Sequence, residues 1–339
     1  MKIGIVGAGI VGRLLAWHLC QQDCEVHLFC RGSLEGEDAC SFIAAGMISP
    51  FSEQEFLQSE WHHLGEKALA WWPRILATLP DKVFYQDNGS LILASSRQKS
   101  YLNHYIDKIW RQLNIKVPVL TEKEIVSFEP ELTNFIGCYL PQEARIDPQQ
   151  LFAALNIFLI NEGVVYHPFH EVEFISAKRI KANQAEFIFD KTIDCRGLGA
   201  KTMLPTLRGV RGELIYCQAL NVNIQHQIRL LHPRYPCYIV PRENHTYVIG
   251  ATQIESESNA PMTIESALAL MTAAVGVHPG FHEANITALH ARSRPTMPNH
   301  FPYCAEVEGI MHINGMFRHG YLLGPILAEQ VARKILENE

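Results

Sequence analysis

A short apolar strand at the start of the chain runs directly into a glycine-rich turn. Residues 3–6 read Ile-Gly-Ile-Val, and Gly7, Gly9 and Gly12 follow before an apolar stretch suited to a helix. In such a strand–turn–helix unit the first glycine permits the tight turn, the second lets the backbone approach a pyrophosphate, and the third lets the helix pack on the strand. The N–H groups at the helix N-terminus favour phosphate oxygens. The sequence therefore predicts a dinucleotide-binding βαβ unit rather than an ordinary glycine-rich turn.

The composition argues against several classes of partner. The chain has 339 residues, 47% of them hydrophobic and 19% charged, as in a globular protein large enough for two domains. Its formal net charge is −6 and it has no run of Lys or Arg, which argues against binding to nucleic acid. Its apolar stretches are too short, or too interrupted by glycine, to span a bilayer. We expect no nucleic acid partner, no membrane span and no signal sequence ahead of so early a strand.

The cysteine and histidine patterns predict neither a disulfide framework nor a metal site. The nine cysteines are scattered and form no Cys-x-x-Cys pair, which is typical of reduced thiols in a cytoplasmic protein. Among the 16 histidines, the adjacent His62 and His63 point to different faces of a predicted helix. We therefore expect a cytoplasmic location and no bound metal.

Hydrophobic periodicity and turn residues predict alternating helices and strands. The predicted helices cover 13–20, 53–79, 99–113, 122–128, a stretch from Pro148, 264–277 and 321–336. The predicted strands cover 25–29, 83–85, 90–94, 136–140, 164–166, 172–175, 186–189, 192–195, 212–218, 238–241, 246–250 and 310–314. The turn Asp87-Asn88-Gly89 predicts a hairpin between its flanking strands, and the small residues of 40–50 suit the start of a helix.

This alternation predicts an α/β fold with a discontinuous Rossmann-type nucleotide-binding domain and an inserted antiparallel-sheet substrate domain. We place the nucleotide-binding domain at 1–80, 145–210 and 290–339, and the substrate domain at 81–144 and 211–289.

The motifs, taken in order along the chain, resemble those of the D-amino-acid oxidase superfamily of flavin-dependent amine oxidases. Within it, the pattern is most similar to the glycine oxidases of thiamine biosynthesis. Beside the glycine-rich turn, the resemblance rests on segments 44–50, 195–199, 208–213, 237–242, 249–252, 291–296 and 314–325. It extends over essentially the whole chain and is more specific for the superfamily than for the substrate.

The resemblance implies FAD as the cofactor. The implied contacts lie in the glycine-rich turn, at the end of the second strand, in the small-residue segment, at the break near 197 and in the C-terminal motif. These residues are Gly7, Ala8, Gly9, Ile10, Val11, Gly12, Cys30, Arg31, Ser41, Ala44, Ala45, Gly46, Met47, Gly197, Arg294, Gly315, Arg318, His319, Gly320, Tyr321 and Leu322. The backbone of 315–322 is implied to offer N–H groups to the pyrimidine end of the flavin, where negative charge collects on reduction.

Arg318 and Tyr238 are the residues that the resemblance implies as the clamp for a substrate carboxylate. A guanidinium matches a carboxylate in a bidentate manner, and the small and apolar neighbours of Arg318 make a surface salt bridge the weaker interpretation. From the sequence alone, Tyr238 is equally interpretable as an aromatic residue in a sheet with its hydroxyl at an interface.

Arg294, Gln253 and His319 are weaker candidates. The resemblance implies a place for Arg294 near the flavin and the substrate, although structural and functional roles are about equally supported. Gln253 follows Gly250-Ala251-Thr252, where related enzymes have a residue facing the substrate, and its polar side chain differs from an exact copy of a glycine pocket. His319 is interpreted as a packing residue or hydrogen-bond partner rather than a base.

One position departs from the usual pattern. A Rossmann unit commonly has Asp or Glu at the end of its second strand for the ribose hydroxyls. Here Cys30 follows Val26-His27-Leu28-Phe29, and Glu25 lies at the other end of the strand. Arg31, Ser33 or backbone groups are the alternatives for this contact, or the affinity for FAD is lower.

The resemblance implies oxidative deamination of a small amino acid, glycine or similar. Hydride would pass from Cα to flavin N5, giving an imine, and molecular oxygen would be reduced to peroxide. The imine would be used for synthesis of the thiazole ring of thiamine. The alternatives are a D-amino-acid or N-methyl-amino-acid dehydrogenase with another electron acceptor, and a flavin-binding sensor without turnover. Family members often form homotetramers, so a homo-oligomer is expected by resemblance alone, and residues 51–60 are a candidate cover for the site.

Overall fold

The structure is a computed structural model that describes residues 1–53 and 59–337. Within these ranges the helices are α1 Ile10–Cys20, α2 Ser59–Leu69, α3 Trp71–Thr78, α4 Lys99–Leu113, α5 Glu122–Phe128, α6 Pro148–Asn161, α7 Ile264–Val277 and α8 Gly320–Glu337. The strands are β1 Lys2–Val6, β2 Glu25–Phe29, β3 Met47–Ile48, β4 Tyr85–Gln86, β5 Ser90–Ser95, β6 Phe135–Leu140, β7 Ala144–Ile146, β8 Val165–His167, β9 Val172–Ser176, β10 Arg179–Ala182, β11 Ala185–Ile188, β12 Lys191–Asp194, β13 Arg208–Gln218, β14 Gln227–Leu230, β15 Cys237–Pro241, β16 Thr246–Gly250, β17 Ile254–Glu255, β18 Asn285–Thr296, β19 Tyr303–Val307 and β20 Ile310–Asn314.

The first sheet is the predicted Rossmann-type sheet. Its six strands follow the order β19-β20-β12-β1-β2-β8, and all neighbours are parallel except β19 and β20. Helices α1, α6 and α8 pack on one face around a core that contains Leu14, Leu15, Phe152 and Leu327. Parallel strands covered by helices account for the continuous apolar character of β1 and β2.

The second sheet is the predicted antiparallel insertion. It contains eight strands in the order β17-β13-β16-β15-β14-β5-β6, with β18 paired along the length of β13. All of its pairs are antiparallel except that of β14 with β5. Helix α7 packs on it over a core that includes Ile239, Ile249 and Ala273. The predicted fold class is confirmed.

The proposed domain limits at 210 and 290 fall inside two strands of this second sheet. Strands β13 and β18 pair from Arg208 with Thr296 to Gln218 with Asn285. We propose that residues 208–296 belong to the substrate domain as one block, since a limit within paired strands would divide continuous hydrogen-bonded ladders.

Local sequence signals account for the helices whose limits agree with prediction. Helices α4, α5 and α7 have the predicted limits. Thr121 and Glu124 form a capping box at the start of α5. Asp147 accepts hydrogen bonds from the backbone N–H groups of Gln149 and Gln150, and Pro148 takes the first position of α6.

Three predictions of local structure are wrong. The hairpin at Asp87-Asn88-Gly89 does not form, because β4 pairs with β7 while β5 pairs with β6 and β14. Residues 40–50 are turns followed by β3 rather than the start of a helix. The helix predicted over 53–79 is two helices, α2 and α3, and its residues 54–58 lie outside the described ranges.

Candidate active site

A cavity of about 410 Å³ lies where the carboxyl ends of β1, β2 and β12 face the large sheet. Ligands of open α/β sheets bind at this edge of the strands. All the candidate residues named from the sequence line this cavity except Gly12, Ser33 and Gln253. Residues separated by up to about 300 positions in the chain thus meet in one place, as the motif order predicts.

Two glycines of the glycine-rich turn, Gly7 and Gly12, leave no space for a side chain. Gly7 has φ = 106°, and a Cβ there would lie 2.4 Å from the carbonyl oxygen of Cys195. A Cβ on Gly12 would lie 2.0 Å from the carbonyl oxygen of Gly7, so Gly12 acts in helix packing rather than in lining the cavity. Gly9 is the N-cap of α1 and lines the cavity together with Ile10 and Val11. This helix N-terminus fits the pyrophosphate of a dinucleotide.

The end of the cavity next to the carboxyl end of β2, here called the outer end, contains a carboxylate that was not predicted from the sequence. Cys30 follows β2 as predicted, and burial raises the pKa of its thiol to about 11, so it stays protonated. Arg31 lies beside Asp38, with Nε 3.0 Å from Oδ2, and all three residues line the cavity. Asp38 therefore brings an acid to the end where a Rossmann unit commonly has one, eight residues beyond the expected position.

The segment 41–47 forms one wall of the cavity. The Ser41 hydroxyl accepts a hydrogen bond from the N–H of Ile10 at 3.1 Å, and Tyr321 donates its hydroxyl to the Ser41 carbonyl at 2.7 Å. Gly46 has φ = 64°, and a Cβ there would lie 2.0 Å from the carbonyl oxygen of Ile146. Gly46 thus allows this segment to pack closely on β7, and Ala44 and Ala45 add only small side chains to the cavity wall.

The N-terminus of α8 forms the opposite wall. Its first residues are Gly320, Tyr321 and Leu322, which line the cavity. The first N–H groups of a helix have no acceptor within the helix, so this turn presents donors to a ligand. Gly315 turns the chain with φ = 67° just before it, and Gly197 lies across from it at the end of β12.

Tyr238 on β15 and Arg294 on β18 lie together where the large sheet borders the cavity, here called its inner end. Two glycines make room for them: a Cβ on Gly250 would lie 2.6 Å from the Tyr238 ring, and one on Gly212 would lie 2.0 Å from Nη2 of Arg294. Arg294 donates a hydrogen bond to the carbonyl of Thr252 at 3.2 Å. Burial raises the pKa of Tyr238, although Arg294 and Arg318 oppose the effect. The phenol is therefore protonated and able to donate a hydrogen bond.

Arg318, the strongest candidate from the sequence, is held by an internal carboxylate. Its Nε lies 2.5 Å from Oε2 of Glu53, and its Nη2 lies 2.8 Å from Oε1. Arg229 donates to the same Oε1 at 2.6 Å. Burial alone would raise the pKa of Glu53, but Arg318 and Arg229 outweigh it and keep the pKa below its usual value. Glu53 is therefore an ionised carboxylate, 5% exposed, that lines the cavity.

Arg294 and Arg318 line this end of the cavity together with Glu53, and Arg229 contacts Glu53 from outside the lining. Arg229, Arg294 and Arg318 together carry three positive charges against the single negative charge of Glu53. An anionic ligand is favoured here. Arg294, which donates to a neutral carbonyl, is better placed than Arg318 to bind a ligand carboxylate, because Arg318 already holds Glu53 in a two-point ion pair.

The remaining candidates His319 and Gln253 differ in whether they line the cavity. His319 is buried beside Arg318 and lines the cavity. Gln253 is exposed and lies outside the cavity lining, so the structure does not bring it to the site. Glu53, which sequence reasoning missed, looks like one more polar residue at the start of a predicted helix, and nothing in its local pattern marks it.

Within 1–53 and 59–337, no helix is both long and apolar enough to cross a membrane. In the same ranges, no group of three or more His, Cys, Asp or Glu side chains is arranged to hold a metal ion.

Comparison with known proteins identifies a family over nearly the whole chain. The family model described as FAD dependent oxidoreductase matches residues 2–334. A putative thiamine biosynthesis oxidoreductase ThiO of Rhizobium etli is 34% identical over 349 residues, covering 100% of this chain and 98% of that protein. A glycine oxidase of Geobacillus kaustophilus is 25% identical, with 98% and 93% covered. The crystal structure of glycine oxidase from Geobacillus kaustophilus superposes with a TM-score of 0.88 at 22% identity, covering 100% of this chain and 95% of that one.

Proposed function

The chain belongs to the family of FAD-dependent oxidoreductases, and from this premise we propose that it oxidises the amine of a small amino acid, glycine or a close relative, to the imine. The observation that carries the proposal is the inner end of the cavity, where Tyr238 and Arg294 lie together. The relatives named as glycine oxidase and thiamine biosynthesis oxidoreductase support glycine as substrate and thiamine thiazole synthesis as the purpose.

The residues that would hold FAD are distributed along the cavity. The N-terminus of α1 would bind the pyrophosphate, and Asp38 would accept hydrogen bonds from the ribose hydroxyls. The N–H groups of Gly320, Tyr321 and Leu322 would face the pyrimidine ring, where they stabilise negative charge. When bound, the flavin supplies the two-electron acceptor for the amine.

The substrate carboxylate would be held by Tyr238 and Arg294. Arg294 offers the planar fork that matches a carboxylate, and the protonated Tyr238 hydroxyl donates a further hydrogen bond. Arg318, for which the family resemblance implies this role, would instead keep Glu53 in place. Such a clamp fixes the orientation of Cα, and orientation of this kind lowers the barrier of a transfer reaction substantially.

The reaction as proposed requires no side-chain general base. A substrate amine that is neutral carries the lone pair that forms the imine C=N bond as the Cα–H bond breaks, so both electrons of that bond leave as hydride. Arg294 and Arg318, which line the cavity, would lower the pKa of an amine brought beside them, and the carboxylate of Glu53 would oppose part of this effect. The site therefore favours the reactive neutral amine.

Molecular oxygen is proposed as the final acceptor, which gives one glyoxylate, one ammonia and one peroxide for each glycine, oxygen and water consumed. The test is the stoichiometry of peroxide to glyoxylate during aerobic turnover of the FAD-loaded protein with glycine. A ratio near one supports the oxidase. Glyoxylate formed without peroxide, and only when a quinone or dye is added, would assign the chain to the dehydrogenases instead.

A further inference from the structure

The carboxylate of Glu53 fills a place that is built to bind a carboxylate. Arg318 contacts both of its oxygens, at 2.5 and 2.8 Å, and Arg229 donates to Oε1 at 2.6 Å. Two guanidinium groups on one buried carboxylate are what a protein uses to recognise an anionic ligand group. Here the chain supplies that group from its own sequence.

This place lies next to the proposed substrate clamp. Arg229 and Tyr238 are directly opposite one another on β14 and β15, so their side chains share a face of the sheet. Glu53 is close enough to Tyr238 and Arg294 to affect the pKa of each. A ligand whose first carboxylate binds Arg294 and Tyr238 would therefore lie close to Glu53.

Buried hydrogen bonds fix the segment that carries Glu53. Glu143 accepts hydrogen bonds from the N–H groups of Phe51 and Ser52 at 3.2 and 2.6 Å, and from the Ser52 hydroxyl at 2.9 Å. Tyr105 donates its hydroxyl to the Ser52 carbonyl at 3.0 Å. The backbone just before Glu53 is thus anchored on two sides, and these hydrogen bonds fix where Glu53 leaves the chain.

We infer that Glu53 is a specificity-determining residue that occupies the subsite for a second substrate carboxylate and thereby restricts the enzyme to amino acids with one carboxylate. The inference rests on the proposed function, since it assumes that the first carboxylate binds at Tyr238 and Arg294. A second carboxylate would meet the negative charge of Glu53 and two guanidinium groups that are already paired. Removing the Glu53 carboxylate frees Arg229 and Arg318 for the ligand.

Two ligands that differ by one carboxylate test this directly. Methoxyacetate and oxydiacetate share the ether-linked acetate, and neither has an amine to oxidise. Their dissociation constants are measured by calorimetry on FAD-loaded wild type and Glu53→Ala. We expect wild type to favour methoxyacetate, and Glu53→Ala to shift the ratio of the two constants toward oxydiacetate by about 10- to 100-fold, as for a recovered charge-assisted contact.

Three further variants separate specificity from general damage. Glu53→Gln keeps the shape and removes the charge, so it should shift the ratio in the same direction by less, and it serves if Glu53→Ala does not fold. Glu186→Ala removes an exposed carboxylate that pairs with Arg179 on the three-stranded sheet, and its ratio should equal that of wild type. Adding Arg229→Met to Glu53→Ala should cancel most of the gain.

The substrates sarcosine and iminodiacetate repeat the comparison with turnover, since they too differ by one carboxylate. An unchanged ligand ratio in both Glu53 variants would overturn the inference, as would a gain for oxydiacetate that survives Arg229→Met. If sarcosine and glycine leave wild-type flavin oxidised under anaerobic conditions, the proposed function fails instead. The calorimetric ratios still decide the role of Glu53 in that case, because they do not depend on catalysis.

Discussion

Gly212 is predicted to be essential to catalysis although it carries no functional group. An alanine Cβ at this position would lie 2.0 Å from Nη2 and 2.2 Å from Cζ of Arg294. Ordinary non-bonded contacts need about 3.5 Å, so in Gly212→Ala the guanidinium must move by roughly 1.5 Å. The end of an arginine side chain is able to make this movement, and we therefore expect the fold and the bound FAD to be retained.

The expected consequence is a loss of substrate positioning. A displacement of about 1 Å in a reacting assembly costs on the order of 100-fold in rate, so kcat/KM for glycine should fall by about that factor. The assay is steady-state oxidation of glycine, combined with a visible spectrum to count bound flavin. Gly276→Ala is the matched control, because a Cβ there meets nothing within 4 Å and Gly276 lies within α7. That control should keep its kinetics and gain about 0.4–1 kcal/mol of stability.

A Gly212→Ala enzyme that binds FAD and retains kcat/KM within a factor of about three would refute the reasoning. Arg294 would then not contact the substrate, and the carboxylate clamp would have to be sought elsewhere in the cavity.

Three further predictions concern titratable groups. Arg318→Met should lower the free energy of unfolding of the FAD-loaded protein by about 3 kcal/mol in urea, because it removes one partner of a buried charge, and adding Glu53→Gln should restore most of the loss; an additive double variant would contradict this. Asp38→Asn should weaken FAD binding by about tenfold or more in a flavin fluorescence titration, as expected for a lost charge-assisted hydrogen bond, and an unchanged Kd would remove Asp38 from the ribose site. Burial lowers the pKa of His18 from 6.5 to about 4, so the unfolded chain takes up this proton first and stability should fall as the pH drops from 6.5 toward 4. His18→Gln should reduce that slope in pH-dependent urea unfolding, and an identical slope would show that other groups set it.

The nucleotide-binding half of the site is predictable from sequence because its determinants are local. The strand, turn and helix of residues 2–20 follow from a short stretch with its own periodicity and glycines. Helices α4, α5 and α7 were likewise predictable from periodicity, and α5 has a local cap as well. In each case the interactions that define the element lie within one or two turns of chain.

The failures follow from contacts between distant parts of the chain. The turn at Asp87-Asn88-Gly89 has hairpin chemistry, yet Tyr85 pairs with Ile146 and Ser90 with Leu140, and these partners decide the strand arrangement. Glu53 could not be identified because its guanidinium partners lie 176 and 265 residues away. The different role that we propose for Arg318 has the same origin, since the sequence does not show that the carboxylate of Glu53 already faces it.

The most direct test of the central claim is the anaerobic visible spectrum of the purified, FAD-loaded protein before and after addition of glycine, with sarcosine and D-alanine in parallel. We expect the oxidised flavin bands to bleach with glycine or sarcosine in wild type and to persist at the same concentration in Arg294→Met. Flavin bands that persist with all three amino acids in wild type would contradict the proposed amino acid oxidation while leaving the fold and the cofactor in place.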